Sequence, residues 1–207
     1  MIDLFKQGGW VMYPLLAFSI VSIAVILERA VFYFLNRDRC GGALEELGAC
    51  AGDWKAAASS FAETQKRAYF TPLVRVYFNT RDKERRLFEE HLFAEAKEIV
   101  MINERHLPIL ASIASIAPLL GLFGTVLGMI EVFQKLAALG GRADVALLSS
   151  GIWVALITTA FGLFVAIPAL LSHHYFTRLV NKRSDYMELI IARLNILTGK
   201  NSVENKT

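Results

Sequence analysis

The chain has 207 residues, of which 55% are hydrophobic and 20% charged, with 22 Lys/Arg against 19 Asp/Glu for a formal charge of +3. Ordinary soluble domains carry about 45–50% apolar and about 25% charged residues, so intrinsic disorder and a purely soluble globule are excluded. Two cysteines, Cys40 and Cys50, exclude a disulfide scaffold, and the small net charge without a basic aromatic stripe argues against nucleic acid as a partner.

The apolar excess is clustered. Uncharged runs of 21, 25 and 33 residues lie between Lys6 and Glu28, between Arg105 and Glu131, and between Asp144 and Arg178. At about 1.5 Å rise per helical residue, even the shortest covers roughly 30 Å, the thickness of a bilayer core. The first segment, from about Trp10 to Phe34, has no basic stretch before it and no clear cleavage site after it. It reads as a retained helix, not a removed leader. The resulting expectation is an all-α polytopic membrane protein with three transmembrane helices and long helices extending into the cytoplasm. Its parts are an N-terminus and first span at 1–35, a cytoplasmic helical region at 36–107, a second span at 108–139, a short link at 140–146, a third span at 147–176 and a C-terminal helix and tail at 177–207.

Orientation follows from the cations. Twelve Lys/Arg lie between Asn36 and Leu107 and six follow Phe176, whereas Lys6 alone precedes the first span and Arg142 alone sits in the short link, with Lys135 just before it. The positive-inside rule puts the large loop and the tail in the cytoplasm and the N-terminus in the periplasm. Cys40 and Cys50 then face a reducing compartment, where free thiols are the default.

In chain order, residues 43–70 read as short helices broken at glycines, and Thr71-Pro72 opens another piece. From Asp82, apolar Leu87, Phe88, Leu92, Ala96 and Ile99 alternate with charges at helical spacing. One long helix is expected from there through Arg105 into the second span, with a bend permitted at Pro108. After the third span, Thr177 to Leu197 is again amphipathic, marked by Leu179, Tyr186, Ile190 and Leu194. Residues 199–207 should be loose. A three-span chain with thin cytoplasmic arms buries little surface alone and is expected to associate with copies of itself.

Two spans carry stripes of small residues. Ala114, Ala117, Gly121, Thr125 and Gly128 step by 3, 4, 4 and 3, and Ala155, Thr159, Gly162, Ala166 and Ala169 by 4, 3, 4 and 3. Such faces let membrane helices approach closely, and a threonine on one can bond across helices or line a wet path. Spacing alone leaves packing and pore lining both open, since threonine hydroxyls also return to carbonyls one turn earlier. Glu131 and Lys135 read as an i,i+4 pair at the outer end of the second span, with proton access as the sharper alternative. His173 and His174 read as interfacial imidazoles at the inner end of the third, with proton exit as the alternative. Trp10, Tyr13 and Trp153 fit an interfacial belt. Pro118 and Pro168 read as tolerated bends. The four histidines and two cysteines form no metal pattern, Thr198-Gly-Lys200 lacks the upstream glycine of a phosphate loop, and no cofactor or catalytic set is expected.

The phrases APLLGLFGTVLGMIEVF (117–133) and GIWVALITTAFGLFVAIPALL (151–171) resemble the two signature helices of the MotA/TolQ/ExbB proton-channel family, and GGWVMYPLLAFSIVSIAVILER resembles the first span of ExbB-type members. The resemblance covers nearly the whole chain. It implies a pentameric homo-oligomer in the bacterial inner membrane, around the single spans of an ExbD- or TolR-type partner that carries an intramembrane aspartate. Proton flow would then drive a motor acting on a TonB- or TolA-like protein. It assigns pore-facing threonines to Thr125 and to Thr159, with Thr158 beside it. Ala117, Gly121, Gly128, Ala155, Gly162 and Ala166 become the helix-packing face. ExbB-type members usually carry Glu in the phrase Gly-Ile-x-Glu-Ala-Leu; this chain has Val154 there. A motility stator and a non-conducting membrane scaffold are the alternative readings. The four-span plan of flagellar stators ranks that role lower.

Overall fold

A computed structural model describes residues 9–36, 69–80, 85–138 and 145–197. They form five helices and, among the described residues, no strand: α1 (Met12–Leu35), α2 (Thr71–Thr80), α3 (Arg85–Glu104), α4 (Leu107–Ala138) and α5 (Val145–Leu197). Three helices are long and apolar enough to cross a membrane: α1, α4 and the stretch Leu148–Ile196 of α5. Most of the short helices expected over 43–70 and of the link expected over 140–146, together with the tail at 199–207 and both cysteines, lie outside the described residues. The chain divides into two compact units, one of Met1–Arg29 with His106–Phe176, the other of Ala30–Arg105 with Thr177–Thr207.

The first unit is built from apolar helices. At the start of α1, Met12 N–H donates to the Gly9 carbonyl and Tyr13 N–H to that of Trp10, each at 3.2 Å. These bonds satisfy two of the amides that a helix start leaves open. Pro14 falls in the first turn, where a missing N–H costs nothing. Val11, Met12 and Leu15 are buried, while Leu16, Ile20, Val21, Ile23 and Leu27 are exposed. On α4 and α5, Leu119, Leu122, Phe164, Ile167 and Leu171 are likewise exposed. Large aliphatic and aromatic groups over most of a helix surface belong in lipid, because in water they would form patches far beyond what monomeric proteins tolerate. Both internal prolines, Pro118 and Pro168, are carried within unbroken helices.

The second unit has an ordinary soluble core. Phe70, Leu73, Val74 and Tyr77 from the start and body of α2, Phe88, Leu92 and Ile99 from α3, and Met187, Ile190 and Leu194 from α5 are all buried together. Their spacings of 3, 4 and 7 place one apolar stripe per helix toward a common centre. Polar contacts fix the rim. Tyr77 Oη donates to Asn195 Oδ1 at 3.0 Å. The Arg183 guanidinium lies 4.7 Å from the ring centres of both Tyr33 and Tyr69. It donates to Asn103 Oδ1 at 2.6 Å and to the Asn36 carbonyl at 2.7 Å. Arginine suits this place because its flat cation stacks on aromatic faces while its edge still donates.

The single helix expected from Asp82 into the second span is corrected. α3 ends at Glu104 and α4 begins at Leu107, with His106 at φ 68° between them. Pro108 favours the break, since it has no N–H for the Glu104 carbonyl four residues earlier and its ring collides with that carbonyl. The next helix restarts with Ile109 N–H donating to the His106 carbonyl at 3.1 Å, Pro108 resting in its first turn.

Candidate channel-lining site

Helices α4 and α5 approach closely at their glycines. A Cβ on Gly162 would lie 2.6 Å from the Ala117 carbonyl oxygen and 3.0 Å from Gly121 Cα. One on Gly121 would lie 3.0 Å from both the Thr158 carbonyl and Thr159 Cα. Neither contact can be relieved by moving a side chain, since the neighbours are backbone. Ala117, Gly121, Ala155 and Gly162 are buried in the seam where the two helices meet, a Cβ on Gly128 would lie an ordinary 3.4 Å from Ala155 Cβ, and Ala166 is buried further along α5.

Three hydroxyls sit along the seam, in different settings. Thr158 is 1% exposed, and its Oγ1 donates to the Ala155 carbonyl at 2.7 Å. Its side chain occupies the space that Gly124 leaves, where an added Cβ would come within 2.7 Å of that hydroxyl. Thr159 is half-buried and reaches across the seam, donating to the Gly121 carbonyl at 3.2 Å. Thr125 is half-buried and returns its proton to the Leu122 carbonyl at 2.6 Å. Each hydroxyl thus spends its proton on a carbonyl and keeps acceptor capacity for a water or for an acid on another chain. Val154 is half-buried, and no Asp, Glu, Lys or Arg lies from Val145 to Thr177 of α5.

Gly124 escaped the sequence reading. It stands three residues after Gly121 and seven after Ala117, which is itself helical spacing, but a stripe drawn through Thr125 passes beside it. The burial of Thr158 had no local sign, because Thr158-Thr159 offers two adjacent hydroxyls and only the partner helix selects between them.

The remaining candidates lie apart from the seam's hydroxyls. Glu131 accepts from Lys135 Nζ at 2.7 Å, both side chains exposed. His173 is half-buried, and its Nδ1 donates to the Leu107 carbonyl at 3.2 Å, with the His174 ring centre 5.7 Å away. Close by in the same unit is a polar group the sequence reading passed over. Glu28 Oε2 accepts from Arg29 Nε at 2.7 Å and from His106 Nδ1 at 3.2 Å. Arg29 is only 2% exposed. In the sequence, Glu28-Arg29 marks only the end of an uncharged run. Among the described residues, no three His, Cys, Asp or Glu side chains gather as a metal site.

Three lipid-facing helices and a glycine-lined seam bearing threonines define a polytopic α-helical membrane protein. The model of the MotA/TolQ/ExbB proton channel family matches residues 59–189. The chain belongs to that family. It is similar to an ExbB-like biopolymer transport protein of Synechocystis sp., 31% identical over 207 residues that cover 95% of this chain and 78% of the relative. Over shorter stretches it is similar to an ExbB-type biopolymer transport protein of Vibrio cholerae, 44% identical over 40% of this chain and 38% of that protein. It is also similar to the Tol-Pal system protein TolQ of Haemophilus influenzae, 41% identical over 42% of this chain and 38% of that protein.

Proposed function

We propose that this chain is the proton-channel subunit of a bacterial inner-membrane motor, one that couples the proton-motive force to work on a TonB- or TolA-type protein spanning the periplasm. The observation that carries this reading is the α4–α5 seam, where Thr158, Thr159 and Thr125 keep acceptor oxygens inside an apolar unit whose α5 stretch holds no acid of its own. Hydroxyls of this kind support water or accept a hydrogen bond from a protonated carboxyl. The carboxyl itself must come from elsewhere, and a single-span partner of the ExbD or TolR type with an intramembrane aspartate supplies it. A titratable acid in the bilayer is expensive unless it faces such a polar lining.

Five copies in a ring would surround the partner's spans, with the small α4–α5 face setting the wall and the exposed aliphatic groups meeting lipid or the neighbouring copy. The N-terminus lies in the periplasm and the C-terminus in the cytoplasm, an orientation that the cation distribution supports. Work on an outer-membrane transporter and envelope maintenance both fit this place in the cell.

The test is proton flux into vesicles holding the chain together with its partner. Thr159→Val and Thr125→Val are each expected to lower flux and coupled work while leaving assembly intact. Unchanged flux in both would remove the pore assignment. Val154, where ExbB-type members usually hold Glu, favours a second reading, a membrane scaffold without conduction. For a scaffold, flux with the partner equals that of empty vesicles.

A further inference from the structure

We infer that His106, oriented by Glu28, is a proton-transfer residue at the Leu107 end of the apolar unit. This role rests on the proton-channel reading above. Three facts converge on it. His106 stands at φ 68°, a left-handed conformation that residues with a Cβ rarely adopt and that recurs where structure serves a site. Its Nδ1 is fixed 3.2 Å from Glu28 Oε2. That same oxygen accepts from Arg29 Nε at 2.7 Å, and the buried Arg29 guanidinium keeps the carboxylate as an acceptor.

The consequence is a defined tautomer. With Nδ1–H committed to Glu28, the lone pair of the neutral ring is on Nε2. The imidazole side chain is 35% exposed, so it meets solvent. Nε2 takes a proton to give the imidazolium, whose charge Glu28 stabilises, and returns the same proton to water, leaving the ring as it began. No other reactant is needed. An imidazole ring both donates and accepts at its nitrogens, which suits a stopover exchanging protons with water. The charged and titratable neighbours are Glu28 and Arg29 on α1, His173 on α5, bonded to the adjacent Leu107 carbonyl, with His174 beside it, and Arg105 preceding it in the chain.

Two measurements on the full-length chain in lipid test the role. The first is the ¹⁵N spectrum of histidine-labelled protein. The His106 Nδ1 resonance is expected to move in E28Q relative to the wild type, and an unmoved resonance overturns the pairing whatever the channel does. The second is proton flux with the single-span partner present. H106N keeps a residue that tolerates the left-handed backbone but cannot carry the proton, and flux is expected to fall roughly tenfold, within the range of a lost acid–base group. E28Q should lower it less and alter its dependence on pH at that end. Wild-type flux retained in full by H106N overturns the role and leaves the channel reading standing. No flux from the wild type overturns the channel reading, and this role with it. Should H106N fail to assemble, E28Q and the Nδ1 resonance decide.

Discussion

At the residue scale, two adjacent threonines divide one task. Thr158 fills the pocket over Gly124, and Thr159 crosses to the Gly121 carbonyl. Their substitutions should therefore separate. Thr159→Val removes an interhelical bond, for which about 0.6 kcal/mol is typical in membranes, so thermal stability in detergent should fall only slightly. Gly124→Val is different in kind, since its Cβ would sit 2.7 Å from the Thr158 hydroxyl, and overpacking of this sort costs about 1–3 kcal/mol. A melting temperature no lower than that of Thr159→Val would show that the seam has slack. Gly162→Leu should be worse than either, because the atoms it meets are backbone. Spacing exposed the small residues but not the choice between neighbouring hydroxyls, because a helix repeat locates a side chain only to within a broad arc and the partner helix settles the rest.

At the scale of elements, Pro108 and His106 govern where one helix stops and another starts. His106→Val should destabilise by about 1–2 kcal/mol, and His106→Gly should be tolerated, because the left-handed backbone penalises a branched Cβ and spares glycine. Circular dichroism melts of the two variants in the same detergent check the order. The proline is visible in the sequence, where it permits a bend. A kinked continuous helix and a clean restart obey the same local rules, and neighbouring contacts choose between them. The amphipathic stripe of α3 is legible in Leu92 and Ile99, yet its packing partners Met187 and Ile190 lie far along the chain. Tyr77→Phe, which drops the bond to Asn195, is expected to lower stability by about 1 kcal/mol, while Leu92→Ala in that core should cost about 2–5 kcal/mol. Urea unfolding read from tyrosine fluorescence would rank them.

At the scale of the whole molecule, the exposed apolar surface of α1, α4 and α5 makes extraction require detergent or lipid. Mass measurement of the extracted assembly is expected to give five copies alone and a heavier complex with the single-span partner. A monomer would contradict the ring. The clustering of apolar residues along the chain determined that it is a multi-pass membrane protein with three segments long enough to span a bilayer, because transfer into lipid is nearly additive over residues and needs no knowledge of neighbours. It also determined that the third span carries no acid, a negative readable from a list of letters. Only the tertiary structure decided which threonine is buried, where α3 stops, and that Glu28 and His106, 78 residues apart in the chain, share a hydrogen bond. The reason is the range of the interactions. Burial in lipid acts on each residue separately, whereas close packing and hydrogen bonds depend on atoms that distant segments bring within 3 Å, and no spacing along the chain encodes that meeting.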